Sequence, residues 1–311
     1  MEFKLKVLIT YILIAAAAGV LILIAASIWY RAIDHTERLF AEHSPLMSAE
    51  ESLLGDSAGY REIAFALNDQ LGRVTRGNLR IPLGVDKPIP AVMILGGQHT
   101  GARAAGLISL EKQAVLCAMD YPSYPEEMIT PARILAMLHS LHRAAFDAAG
   151  MAFNVLDYLC SRPEVDTDRI TVLGVSFGVP FAVIAALDDR VRGVVLIYGA
   201  GDLEELIDWN LRQKVRFTPL RKFASHILGT MISPFEPTAY VDRFSPRPLL
   251  MINSSLDEKI PVRCVRLLFN KANRPKELVW LDTQHVHPSN RKLIDSLTRI
   301  SSDWLERKNL L

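Results

Sequence analysis

Cysteine is scarce in this chain, with three among 311 residues, at Cys117, Cys160 and Cys264. None has the Cys-x-x-Cys or Cys/His spacing of a zinc site, and no calcium loop is visible, so the sequence offers no metal centre. Each cysteine sits in an apolar or helical run and reads as a small buried hydrophobe. A disulfide between two of them stays open as an alternative if the domain meets an oxidising compartment. Excess charge is missing as well. The 35 basic and 34 acidic residues leave a net charge of +1, without the basic surplus or stripe that a nucleic-acid partner calls for. Internal repeats and low-complexity tracts are absent outside one segment at the start, which leaves a chain long enough for one large α/β domain or two small ones.

The longest apolar run without charge lies near the start. Val7 to Trp29 holds 23 uncharged residues, which as a helix reach about 34 Å, enough to cross a hydrocarbon core of roughly 30 Å. Lys4 and Lys6 precede the run and small residues occur within it, as in a cleavable signal peptide, but such apolar regions usually hold about 7 to 15 residues. An uncleaved single-pass membrane anchor over residues 1–30 is the expectation. The positive-inside bias weakly favours an inside N-terminus, which places the remaining domain outside the cytoplasm. Residues 31–57 are polar and mixed and read as a helical stalk or linker, and residues 58–311 as the globular domain.

Strand and helix signals alternate through that domain. Residues 60–67 and 73–82 read as a hairpin, with Asn68-Asp69 as its turn and Gly77-Asn78 as a bulge or second turn. Continuous apolar runs at 90–97, 113–122, 170–175, 193–199, 248–254 and 277–282 read as strands buried on both faces. Helical spacing over 102–112, 132–160 (interrupted near Gly150), 177–187, 262–271 and 290–306 falls between and after them. This is the pattern of an α/β fold with a mostly parallel sheet and helices on both faces. Residues 202–240 break the alternation with helical, aromatic-rich sequence, a candidate lid beside the strand ends, where open α/β sheets bind ligands.

Within ITVLGVSFGVPF, Gly174-Val175-Ser176-Phe177-Gly178 places a serine between a buried strand and a helix. A serine hydroxyl needs a base beside it and a third group to orient the base. Such a strand-turn-helix lifts the hydroxyl clear of the sheet. The two glycines remove colliding side chains, and the Phe177 N–H can face a developing oxyanion. Downstream, Asp257 and His285 each follow an apolar run and fall in loops at the same sheet edge. His287 is an alternative base and Asp202 an alternative acid; Asp282 lies too near its own strand end. His99 either touches substrate or is solvated. His139 and His142 read as surface residues without a role.

Together, KPIPAVMILGG (87–97), DTDRITVLGVSFG (166–178), SPRPLLMINSSLDEKIP (245–261) and WLDTQH (280–285) resemble the α/β-hydrolase superfamily, in particular its dienelactone hydrolase and prolyl-oligopeptidase-like serine esterase branch. The resemblance implies Ser176 as nucleophile, Asp257 as acid, His285 as base, and an oxyanion hole from the backbone N–H of Phe177 and of Gly97 or Gln98. It implies no cofactor. Two departures stand out: Leu95-Gly96 replaces the His-Gly of many relatives, and Ser254 replaces a glycine. The expected activity is cleavage of a carboxylic ester in a small acyl substrate, and the anchor and lid candidate together suggest a lipophilic one. Thioesterase or peptidase action with the same triad, or a non-catalytic binding module, are the alternatives.

Overall fold

A computed structural model describes residues 2–97, 100–110, 112–122 and 134–311. Nine strands form one sheet in the order β1-β2-β3-β5-β4-β6-β7-β8-β9. β1 (Leu46–Ser57), β2 (Tyr60–Asp69) and β3 (Val74–Pro82) form an antiparallel meander, and β3 joins antiparallel to β5 (Val115–Met119). From β5 through β4 (Ile89–Leu95), β6 (Val165–Val175), β7 (Val191–Ile197) and β8 (Leu249–Ser254) to β9 (Lys276–Leu281), all pairs are parallel. β4, β5 and β8 are buried at every position, as strands covered on both faces must be.

The helices are α1 (Glu2–Ala32), α2 (Thr36–Ala41), α3 (Ile134–Cys160), α4 (Val179–Ala185), α5 (Leu203–Leu211), α6 (Thr218–Met231), α7 (Val262–Lys271) and α8 (Arg291–Arg307). Successive strand side chains point to opposite faces, and this parity assigns the layers. Gly174 faces α4, where an added Cβ would lie 2.5 Å from the Ala182 Cβ. Its neighbours Leu173 and Val175 face α8 across a cavity. Phe146 and Phe153 of α3 and Trp304 and Leu305 of α8 belong to the same continuous core.

Several sequence expectations are corrected. Residues 31–57 are not a stalk throughout, because β1 is the outer strand of the sheet and pairs with β2 along its length. Glu42 also accepts from Arg73 (3.3 Å) and Arg143 (2.9 Å). Gly77 is neither bulge nor turn. It pairs in regular register with Phe65, whose ring occupies the space a side chain would take, an added Cβ falling 2.1 Å from ring carbon Cζ. α3 runs unbroken through Gly150, where a Cβ would meet the Glu42 carbonyl oxygen at 2.4 Å; the glycine permits a close approach, not a break. The stretch expected as a helix over 102–112 is a short 3-10 segment, Gly101–Leu107.

The candidate lid at 202–240 is helical, comprising α5, α6 and short 3-10 turns. The expected membrane segment falls in α1, part of whose side chains lie outside the described residues. Among the described residues, no helix is long and apolar enough to cross a membrane. All three cysteines are free, two of them buried, and no group of side chains among the described residues could hold a metal ion.

Candidate active site

β6 ends at Val175 and the chain turns at Ser176 with φ +51°, a left-handed conformation that costs a non-glycine residue free energy and persists only where its surroundings enforce it. Gly174 and Gly178 leave room for it here. A Cβ on Gly178 would fall 1.9 Å from the Leu95 carbonyl oxygen, so no larger residue lets the turn close against the end of β4. Pro180 lies in the first turn of α4, where its missing N–H leaves no helical bond unmade.

Ser176 Oγ lies 2.8 Å from Nε2 of His285, and Nδ1 of His285 lies 2.7 Å from Oδ2 of Asp257. A carboxylate only accepts hydrogen bonds, so the proton of a neutral His285 resides on Nδ1 and Nε2 accepts from the serine hydroxyl. Asp257 is 9% exposed. Its Oδ1 accepts from the backbone N–H of Lys259 (2.8 Å) and Ile260 (3.1 Å), which leaves Oδ2 for the histidine alone. Ser176, His285 and Asp257 come from the loops after β6, β9 and β8, all at the carboxyl edge of the parallel strands.

The alternative residues are placed elsewhere. His287 Nδ1 pairs with Ser289 Oγ at 2.7 Å. Asp202 caps α5, accepting from the Glu205 N–H at 3.1 Å, and Asp282 accepts from Ser255 Oγ at 2.6 Å. Gln98 and His99 lie outside the described residues. His139 is exposed, but His142 is not a surface residue: it is half-buried and donates from Nδ1 to the Met231 carbonyl at 2.9 Å, joining α3 to the end of α6. Burial holds its pKa below the ordinary histidine value, against the opposing effect of that hydrogen bond, with Arg38 adding to the lowering.

Several supporting groups were not evident from sequence. Ser254, at the position where glycine was expected, ties the acid loop to the histidine loop: its hydroxyl donates to the Thr283 carbonyl and accepts from the Thr283 N–H (2.9 Å) and the Leu256 N–H (3.1 Å). Glu258 accepts from the His285 N–H at 3.0 Å. Burial works to raise the Glu258 pKa, but hydrogen bonds from backbone N–H groups, that of His285 foremost, hold it below the usual glutamate value. The Tyr198 ring stands edge-on to the His285 ring at 5.2 Å, and the Tyr198 hydroxyl lies 2.6 Å from Thr283 Oγ1.

On the other side of the serine, the turn after β4 carries Gly96 and Gly97. The Tyr121 hydroxyl donates to the Gly96 carbonyl at 2.8 Å and Thr100 Oγ1 to the Gly97 carbonyl at 2.8 Å. Gly96 and Gly97 line the same cavity as Ser176, Phe177 and His285. The half-exposed Phe177 ring packs edge-on against Tyr121 at 5.0 Å.

Solved structures share this architecture. An acetyl xylan esterase from a Paenibacillus species matches at TM-score 0.65 and 19% identity, over 88% of this chain and 93% of that one. An acetyl xylan esterase from a Thermoanaerobacterium species matches at TM-score 0.62 and 18% identity, over 86% and 92%. A 2,6-dihydroxy-pseudo-oxynicotine hydrolase matches at TM-score 0.53 and 21% identity, over 78% and 66%. The chain has the α/β-hydrolase fold. No family model matches the sequence, and no curated protein matches it. In this fold the turn at Ser176 joins β6 to α4, and the helical residues 202–240 lie between β7 and β8.

Proposed function

We propose that this protein is a serine hydrolase that cleaves carboxylic esters through an acyl-enzyme. The observation that carries this reading is the hydrogen-bonded row Ser176–His285–Asp257, set at a strained elbow beside a glycine turn. Ser176 Oγ attacks the ester carbonyl while His285 Nε2 takes its proton, and Asp257 stabilises the imidazolium without being protonated. The negative charge on the former carbonyl oxygen is met by the N–H groups of Phe177 and Gly97. Collapse of the tetrahedral intermediate breaks the ester C–O bond, and His285 returns the proton to the departing alcohol. Water, deprotonated by His285, then repeats the sequence on the acyl-serine, releases the carboxylic acid and restores the serine. The acetyl xylan esterases among the fold neighbours agree with ester cleavage as the reaction class. The reading is tested with p-nitrophenyl esters: wild type is expected to hydrolyse them and Ser176→Ala to lose about 10⁴-fold or more. Equal turnover by the two would overturn it.

The same proposal includes a membrane anchor at α1, with the catalytic domain outside the cytoplasm. Its support is the 23-residue uncharged run of the sequence and the exposure of Tyr11, Ile14, Leu21, Ile22, Leu23, Ile24 and Trp29 along α1. The last turns of α1 reach α6, where Ser27 Oγ lies 2.8 Å from Thr230 Oγ1, and α5, where Arg31 pairs with Glu204. Phe217 just before α6, and Leu220, Phe223 and Ile227 within it, are exposed, a stripe suited to the interfacial zone of a bilayer. Retention of the full chain in membranes through alkaline carbonate is expected; release into the supernatant would contradict it.

A further inference from the structure

The cavity that opens at Ser176 does not end there. It has a volume of about 360 Å³ and continues down one face of the sheet. Its walls are Ile94, Leu173 and Ile197 on the strands and Leu297 and Leu305 on α8. Val92 also lines it, four residues before Gly96 on β4. At about 3.3 Å per strand residue, this puts the floor roughly 13 Å below the turn that faces the substrate carbonyl.

The space exists because of the segment that should cover it. Between β4 and β5 this face is crossed by the short 3-10 segment Gly101–Leu107, of sequence GARAAGL, in place of a full helix. Ala104, on the cavity wall, has only a methyl group to offer, and α8 is left to face the strands across a gap. Most of the lining is apolar: Lys259, His285 and His287 belong to the loops after β8 and β9 at the Ser176 end, and Ser301, on α8, spends its hydroxyl on the Leu297 carbonyl at 2.8 Å. Away from those loops, along the strands and α8, the cavity therefore has room and apolar surface but little to recognise a sugar or a charged group.

We infer that this cavity is an acyl-chain pocket and that the substrate is the ester of a medium-length fatty acid, with the chain running from Ser176 down between the sheet and α8. The inference rests on the esterase reading above. Two measures of length agree. An apolar cavity of about 150 Å³ takes up benzene, with its six non-hydrogen atoms, so 360 Å³ holds about fourteen, the ester oxygens included. An extended chain advances about 3.3–3.6 Å per three bonds, so a depth of roughly 13 Å takes about eleven bonds. Both correspond to acyl chains of about eight to twelve carbons.

A p-nitrophenyl ester series from acetate to dodecanoate, run on the full chain in detergent, tests this. Burying one methylene favours binding by up to about fourfold, so kcat/KM is expected to rise at least a hundredfold from acetate to octanoate. Thr298→Phe, which puts a ring into the cavity from a half-buried position on α8, is expected to lower the octanoate-to-acetate ratio of kcat/KM at least tenfold. Leu297→Ala should move the optimum to longer chains. Decanoate, the product acid, should raise the melting temperature of wild type and not of Thr298→Phe, while acetate should raise neither. Highest activity on acetate with a steady decline along the series would overturn the pocket, as would a ratio insensitive to Thr298→Phe. In those cases Ser176-dependent acetate hydrolysis leaves the esterase reading standing. Failure to hydrolyse any ester or to react with a fluorophosphonate would instead overturn that reading, and the pocket with it.

Discussion

Replacing Asp257 by asparagine changes one atom pair, and the surroundings decide how the new side chain must lie. Oδ1 of Asp257 faces two backbone donors, the N–H groups of Lys259 and Ile260 at 2.8 and 3.1 Å. Asparagine has one acceptor oxygen, and pointing its NH₂ at those donors would leave three N–H groups facing one another in a site that is 9% exposed. The oxygen must therefore take the Oδ1 position, which turns the NH₂ toward His285 Nδ1 at the 2.7 Å contact. Nδ1 can then only accept, the ring proton moves to Nε2, and Nε2 can no longer take the proton of Ser176. The expected loss in kcat is about 10⁴-fold, or about 5 kcal/mol of transition-state stabilisation at 1.36 kcal/mol per decade. The melting temperature should hardly change, because shape and hydrogen-bond count are kept. Steady-state hydrolysis of a p-nitrophenyl ester, with residual wild-type contamination excluded by active-site titration, measures this. A loss of less than tenfold in a folded Asp257→Asn protein would refute the assigned tautomer and with it the role of Asp257.

Other outcomes follow from the same geometry. Ser254→Gly removes the hydroxyl that joins the acid and histidine loops, and is expected to cost about 1–3 kcal/mol of stability and about tenfold in kcat/KM, read by thermal melts and ester hydrolysis. Ser176→Gly should melt about 1.5–2 °C above Ser176→Ala, since glycine relieves a left-handed conformation at φ +51° worth about 1 kcal/mol to a residue with a Cβ; equal melting temperatures would mean the turn carries no strain. His142 has a pKa lowered from 6.5 by burial. Its contribution to stability is therefore present above pH 6.5 and lost as pH falls through the folded-state value. The melting temperature should fall more steeply below pH 6.5 in wild type than in His142→Gln, and identical slopes would count against the burial of His142 between α3 and α6.

How far the structure was legible in the sequence depended on whether a residue's surroundings were local. The parallel strands announced themselves because burial on both faces demands unbroken apolar runs, as in VMIL of β4 and LLMIN of β8. The elbow was readable because strand, glycines, serine and helix are contiguous, and the placement of Asp257 and His285 followed from where two later runs stop. β1 was not legible: as an outer strand it is exposed along nearly all of LMSAEESLLGDS, so nothing forces its residues to alternate or to be apolar. Gly77 and Gly150 look like breaks in sequence, yet each makes room for a residue distant in the chain, Phe65 and Glu42 respectively. Ser254, Tyr121 and Glu258 hold the site through partners 25 to 29 positions away, a distance no local pattern records. The acyl cavity was hidden for a related reason, since helical spacing at 102–112 did not reveal that only a short 3-10 segment would cover that face.

The central claim is that Ser176 is a nucleophile activated by His285. Incubating the folded full-length protein with a fluorophosphonate and mapping the adduct by mass spectrometry tests it most directly. One adduct per chain is expected, on the peptide carrying Ser176, absent in Ser176→Ala and strongly slowed in His285→Ala. A folded wild-type protein that stays unlabelled, or one labelled equally well without Ser176, would contradict it.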